Sequence, residues 1–193
     1  MISFPLRRLV FLSSLLLGNL CLAQDTPSFE DNLLTIPIAN TSDAPGIFQD
    51  IVLRLEETGE IELVDFKTGV ELYNSSITSV EIIQTESFPV QVFVKLQGQF
   101  NNGCPAVGQI VARRENNHFT IKAYLANNIW LLNPELILCT LSIVPYSSTT
   151  ALDVYGLEAG TYTYSLNNDF TGEFTLAEAN YFPKEELLPT SSL

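Results

Sequence analysis

The chain holds one histidine in 193 residues, and only nine lysines and arginines against 22 aspartates and glutamates, a formal charge of −13. These scarcities close several classes of function. Nucleic-acid binding rests on a basic footprint, and this chain has none. A zinc site draws on several histidines and thiolates, which one histidine and three cysteines do not supply. A histidine-based hydrolase needs His118 to meet a nucleophile and an orienting acid. No Gly-x-Ser-x-Gly elbow accompanies it. After the first two dozen residues, no apolar run approaches the length of a membrane helix. The expectation is a chain that is not an enzyme, holds no metal or cofactor, binds no nucleic acid and has no membrane span in its mature form.

The start of the chain reads as an address. Arg7 and Arg8 form a positive region, Val10 to Leu17 is mostly apolar, and Cys21-Leu22-Ala23 resembles a small-x-small cleavage site. Residues 1–23 are therefore expected to be a signal peptide, and the mature chain to be extracytoplasmic, either periplasmic or secreted. The paired arginines raise the twin-arginine route, but the rest of that motif fits poorly. Cys21 raises lipidation. A lipobox wants a small residue before its cysteine and Leu20 stands there, so a lipoprotein is the minority reading. Loss of Arg7 and Arg8 leaves seven basic residues against 22 acidic ones, a balance of −15. Such acidity mostly serves solubility, though it also attracts cations or a basic partner.

Cleavage leaves two cysteines, Cys104 and Cys139. In an oxidising compartment an even pair reads as one disulfide. It closes a loop of about 35 residues and contributes roughly 3–4 kcal/mol in the chain-entropy account. The alternative is two unrelated buried thiols.

What the chain has in quantity is β pattern. Val90, Val92, Val94 and Leu96 alternate with Gln91, Lys95 and Gln97. Phe119, Ile121, Ala123 and Leu125 alternate with Thr120, Lys122 and Tyr124, which places the second set and His118 toward water. Residues 24–76 read as an N-terminal β-unit with a linker. There Leu34, Ile36 and Ile38 share a face, as do Ile51, Leu53 and Leu55. Ile61 and Leu63 come after a turn at Glu57-Thr58-Gly59. Val64 and Phe66 then fall out of phase, which a bulge near Leu63 explains. So few strands do not stand alone securely, so the unit is expected to pack on, or be tethered to, the domain C-terminal to it.

Residues 77–177 carry the main domain, with strands expected near 79–86, 90–100, 108–114, 118–125, 139–144, 149–155, 161–167 and 172–176. Pro89 bends the chain between the first two, and Arg113 to Asn117 is a hairpin turn. This spacing predicts an all-β fold, an immunoglobulin-like antiparallel β-sandwich. In the closing hairpin Tyr162, Tyr164 and Leu166 share a core face with Gly172, Phe174 and Leu176 across the turn. Leu157 and Tyr162 bracket Ala159-Gly160 like a tyrosine corner, whose phenol finds a backbone partner. Residues 178–193 read as a tail.

Ile82 to Val92 with Gly98 and Cys104, then Cys139, Leu152 to Thr163 and Phe174-Thr175-Leu176, resemble small secreted bacterial modules of immunoglobulin-like type. Leu34 to Pro37 with Val52 to Leu55 resembles a short β-unit of similar secreted proteins. The resemblance implies an extracytoplasmic β-sandwich and carries no catalytic residues. In a bacterium the sequons at Asn40 and Asn74 mean little.

Candidate sites are few. The carboxylate pairs Glu30-Asp31, Glu56-Glu57 and Glu185-Glu186 lie at a hairpin and near the termini, where solvation is the default. Asn167-Asn168-Asp169 with Glu173 is the nearest calcium pattern, and it is also ordinary turn chemistry. Asn128 to Leu138 contains the only tryptophan, and Pro134 interrupts any strand. Ile129, Trp130, Leu131 and Leu132 are the candidate partner-binding residues, set against burial as a plug or cover. The expected function is binding, adhesion or assembly with an unknown protein or cell-surface partner. The alternative is a protease inhibitor that presents a loop at Ile129–Pro134 or Gly103–Gly108.

Overall fold

The computed structural model describes residues 26–42, 44–126 and 138–182. Among them no α-helix occurs; the only helical turn is a 3-10 turn at Asn74–Ser76. Four strands, β1 (Ser28–Glu30), β2 (Leu33–Ala39), β3 (Phe48–Leu55) and β4 (Ile61–Thr68), form an antiparallel N-terminal sheet in chain order. Seven more complete the fold: β5 (Ile77–Gln84), β6 (Val92–Phe100), β7 (Val107–Glu115), β8 (His118–Leu125), β9 (Val144–Leu152), β10 (Gly160–Leu166) and β11 (Phe170–Leu176). They make two sheets, ordered β5-β6-β9 and β11-β10-β8-β7.

The two sheets close over one core, as the alternation predicts. Val92, Val94 and Leu96 of β6 meet Phe119 and Ile121 of β8 and Leu166 of β10, all at most 1% exposed. The hairpin aromatics point inward. Tyr162 and Phe174 stack at 5.7 Å, and Phe119 sits 5.8 Å from Phe174. The Tyr162 hydroxyl donates to the Glu158 carbonyl at 2.9 Å, which makes the tyrosine corner.

The sandwich departs from the expectation in three places. The pairing of β8 with β10 is parallel, Thr163 opposite His118 and Ser165 opposite Thr120, so the second sheet is not wholly antiparallel. The strands expected at 139–144 and 149–155 are one strand, β9. Its length is set by β6, which pairs with it from Val92–Leu152 to Phe100–Val144 and ends there. With no strand to receive them, residues 138–143 are irregular, and Leu141 is 99% exposed. The domain also runs past Ala177. The buried Asn180 amide donates to the carbonyls of Val90 and Val154 at 2.9 and 3.0 Å and accepts from the Val90 amide at 2.7 Å.

The hairpin of β7 and β8 turns on Asn116, with Glu115 opposite His118. The bulge expected in β4 is present. Leu53 pairs with Leu63 but Val52 pairs with Asp65, leaving Val64 as the extra residue and returning Phe66 to the alternation set by Leu63.

Candidate interaction surface

The register of the N-terminal sheet aligns apolar residues across all four strands. Phe29 pairs with Leu34, Leu34 with Leu53, and Leu53 with Leu63. Ile36 opposite Ile51 and Leu55 opposite Ile61 extend the same face two residues to either side. A sheet with one apolar face normally buries it against a second layer. Here none of these eight residues is buried, and Ile61, Phe29 and Leu63 are 69%, 60% and 55% exposed. The opposite face mixes Leu33 and Val52 with Thr35, Arg54, Glu62 and Asp65, and carries an Arg54–Glu62 ion pair at 2.7 Å.

The sheet reaches the sandwich through loops. The Tyr124 hydroxyl donates to the Pro45 carbonyl at 2.6 Å, and Gly46 lies against Val111 and Tyr124 with no room for a Cβ. Arg113 donates to the carbonyls of Thr41 and Ser42. Gly69 donates to the Ile47 carbonyl at 2.7 Å, while the Leu72 and Leu125 amides donate to the carbonyls of Ala123 and Val70. This seam covers the end of β8 that alternation assigned to water: Lys122 and Tyr124 are 4% and 1% exposed. Lys122 Nζ pairs with Glu71 Oε1 at 2.7 Å. Burial, and then the nearby Glu71 charge, push the Tyr124 phenol up to about 12. All these contacts lie at the end of the sheet where β2 runs into β3. The β1–β2 and β3–β4 turns are at the other end, joined side by side by the bond from the Leu55 amide to the Asn32 carbonyl.

That free end is acidic. Glu30, Asp31, Glu56, Glu57, Glu60 and Glu62 stand on or beside the two turns. Arg54 is the cation among them, 2.7 Å from Glu62 and 3.9 Å from Glu56.

The other candidates fare differently. Ile129, Trp130, Leu131 and Leu132 lie outside the described residues. Cys104 and Cys139 form a disulfide, with Cα atoms 5.2 Å apart across 35 positions. His118 is half-buried rather than turned freely to water. Its Nδ1 lies 2.8 Å from Thr163 Oγ1 and its Nε2 3.0 Å from Ser165 Oγ, both hydroxyls of β10. Among the described residues, each ring nitrogen thus meets a hydroxyl rather than a carboxylate. Asn167 and Asn168 hold φ of 46° and 66°, as the turn reading requires. The buried Asn167 amide also bridges strands. It donates to Leu72 O at 3.0 Å and Ala123 O at 3.3 Å, and accepts from Ala123 N at 2.9 Å. Among the described residues, no three His, Cys, Asp or Glu side chains gather as metal ligands. Between the seam and the β7 and β9 edges runs an open cleft of about 680 Å³, lined by Ile38, Asp50, Gln109 and Thr150 among others. Among the described residues, no aromatic side chain lines it.

Known proteins resemble the sandwich part of the chain. The model of the ORF11 beta-sandwich domain matches residues 94–176, from within β6 to the end of β11. A Herpetosiphon aurantiacus protein, "Uncharacterized 10.2 kDa protein in HgiBIM 5′region", is 32% identical over 82 residues, which is 42% of this chain and 92% of the relative. The chain belongs to the ORF11 beta-sandwich domain family. A second relative from the same organism, "Uncharacterized 10.2 kDa protein in HgiCIIM 5′region", is 31% identical over 93 residues, 48% of this chain and 90% of the relative. No solved structure matches. The matched residues hold the tyrosine corner and most of the core, while β1 to β5 lie outside them.

The Trp130 segment stands out in the sequence because its apolar residues are consecutive. The N-terminal face is built from residues up to 34 positions apart, and only strand register assembles it. The signal within the sequence was the alternation in 34–38, 51–55 and 61–63 in a unit too small to cover itself.

Proposed function

We propose that the protein is a non-enzymatic, extracytoplasmic binding or assembly module, whose ORF11 sandwich is a scaffold and whose N-terminal sheet docks a protein partner. The observation that carries this is the row Phe29–Leu34–Leu53–Leu63, continuous across four strands and covered by no second layer among the described residues. An apolar face of this kind on a soluble domain marks an interaction site. The leader-like residues 1–23 and the Cys104–Cys139 disulfide support an oxidising compartment. The test is site-specific photo-crosslinking in the native host, with benzoylphenylalanine at Leu63 or, as control, at Thr163 on the outer face of the sandwich. A discrete crosslinked protein at position 63 alone is expected. Equal crosslinking at both positions, or none at 63, counts against the proposal.

One observation favours protease inhibition as a second reading. Leu141 is 99% exposed on a segment pinned by the disulfide and by the bond from Gly103 N to Thr140 O at 3.0 Å. A firm loop with a free apolar side chain suits a protease pocket. Assays against serine, cysteine and metalloproteases decide it. Inhibition lost in Leu141→Asp supports it, and no inhibition of any of them removes it.

A further inference from the structure

The apolar face says that something docks, and the charge at its free end says what kind of surface does so. Six carboxylates, at Glu30, Asp31, Glu56, Glu57, Glu60 and Glu62, stand on or beside the two turns next to the exposed pair Leu55–Ile61, with Glu30 and Glu62 on the opposite face of the sheet. The guanidinium among them is already shared between Glu62 and Glu56. The Debye length at physiological ionic strength is about 8 Å, so charges on the adjoining turns act on whatever covers these residues. A second copy of the chain brings the same carboxylates and a formal charge of −13. An anionic lipid surface is repelled likewise. A partner with lysines or arginines beside an apolar strip gains from both features at once.

Resting on the docking proposal above, we propose that the partner is a protein segment presenting an apolar strip flanked by basic residues, with the strip on Leu53, Leu55, Ile61 and Leu63 and the basic groups at the two acidic turns.

The test uses the oxidised mature chain and three labelled probe peptides, leucine–lysine, serine–lysine and leucine–glutamate alternates, read by fluorescence anisotropy. The leucine–lysine peptide is expected to bind best and to weaken as salt is added. Ile61→Ser/Leu63→Ser and, separately, Glu57→Gln/Glu60→Gln are each expected to lower its affinity about tenfold. Glu173→Gln/Glu178→Gln on the sandwich makes the same charge change and is expected to leave affinity unaltered. The turn variants lie outside any packed region, so they keep the test valid should the strand variants unfold the sheet. If the leucine–glutamate peptide binds equally well and the turn variants change nothing, the basic-partner inference falls while docking stands. If no peptide responds to Ile61→Ser/Leu63→Ser, both fall. If the chain is a dimer that these same substitutions dissociate, the occupant is a second copy and the inference is overturned.

Discussion

Tyr124 shows how one side chain ties two units together. Its phenol spans 79 positions to reach the Pro45 carbonyl, and both groups are buried. Tyr124→Phe keeps the ring but leaves that carbonyl without its donor. The expected cost is about 1–2 kcal/mol, read by urea denaturation. The raised phenol also sets a pH dependence. A group whose folded pKa lies above its unfolded value stabilises fully below the unfolded value, near 10 for tyrosine. That contribution falls as pH climbs toward about 12, the folded value of Tyr124. Wild-type stability should therefore drop more steeply than that of Tyr124→Phe between these limits. Parallel curves would mean that the phenol is not held this way. Asn167 is the second residue of this kind: its amide makes three bonds from a left-handed backbone. Asn167→Ala is expected to cost about 2 kcal/mol or more, and a smaller loss would show those bonds to be replaceable by water.

At the scale of elements, what was legible in the sequence was whatever depends on neighbours in the chain. Alternation placed Tyr162, Tyr164 and Phe174 in the core, and the parity slip placed a bulge near Leu63, where the register puts it at Val64. What was not legible depends on which element comes to lie on which. Lys122 and Tyr124 alternate like exposed residues, and only the seam formed by 41–46 and 69–72 buries them. The end of β9 at Val144 is likewise set by the end of its partner β6, not by its own sequence. Apolar residues 141 and 143 looked like strand and have no strand to join. Two elements are separable by experiment. Reduction of the Cys104–Cys139 bridge, which joins residues 35 apart, should lower stability by roughly 3–4 kcal/mol. Intact mass should rise by two hydrogens, and an unchanged mass would refute the bridge. A chain beginning at Gly69 keeps Leu72 in the core and should still fold, since the ORF11 domain model matches within the sandwich, at residues 94–176. Its loss of the Pro45 contact should lower its melting temperature; failure to fold would show the N-terminal sheet to be integral.

At the scale of the molecule, the described residues join a covered domain to a sheet whose apolar face no other described layer covers. Among the described residues the sandwich core has 18 buried members, whereas the apolar face of β1 to β4 has none. The seam lies at one end of that sheet and the acidic turns at the other, so the apolar face is presented rather than folded under. A docking role requires that face to be open in the free protein. Thermal and urea unfolding of Ile61→Ser/Leu63→Ser against wild type measures this directly. An open face predicts a loss below about 1 kcal/mol, the scale of exposed cross-strand pairs. A loss of about 3 kcal/mol or more, the scale of buried apolar truncations, would contradict it and make the face part of the protein's own core.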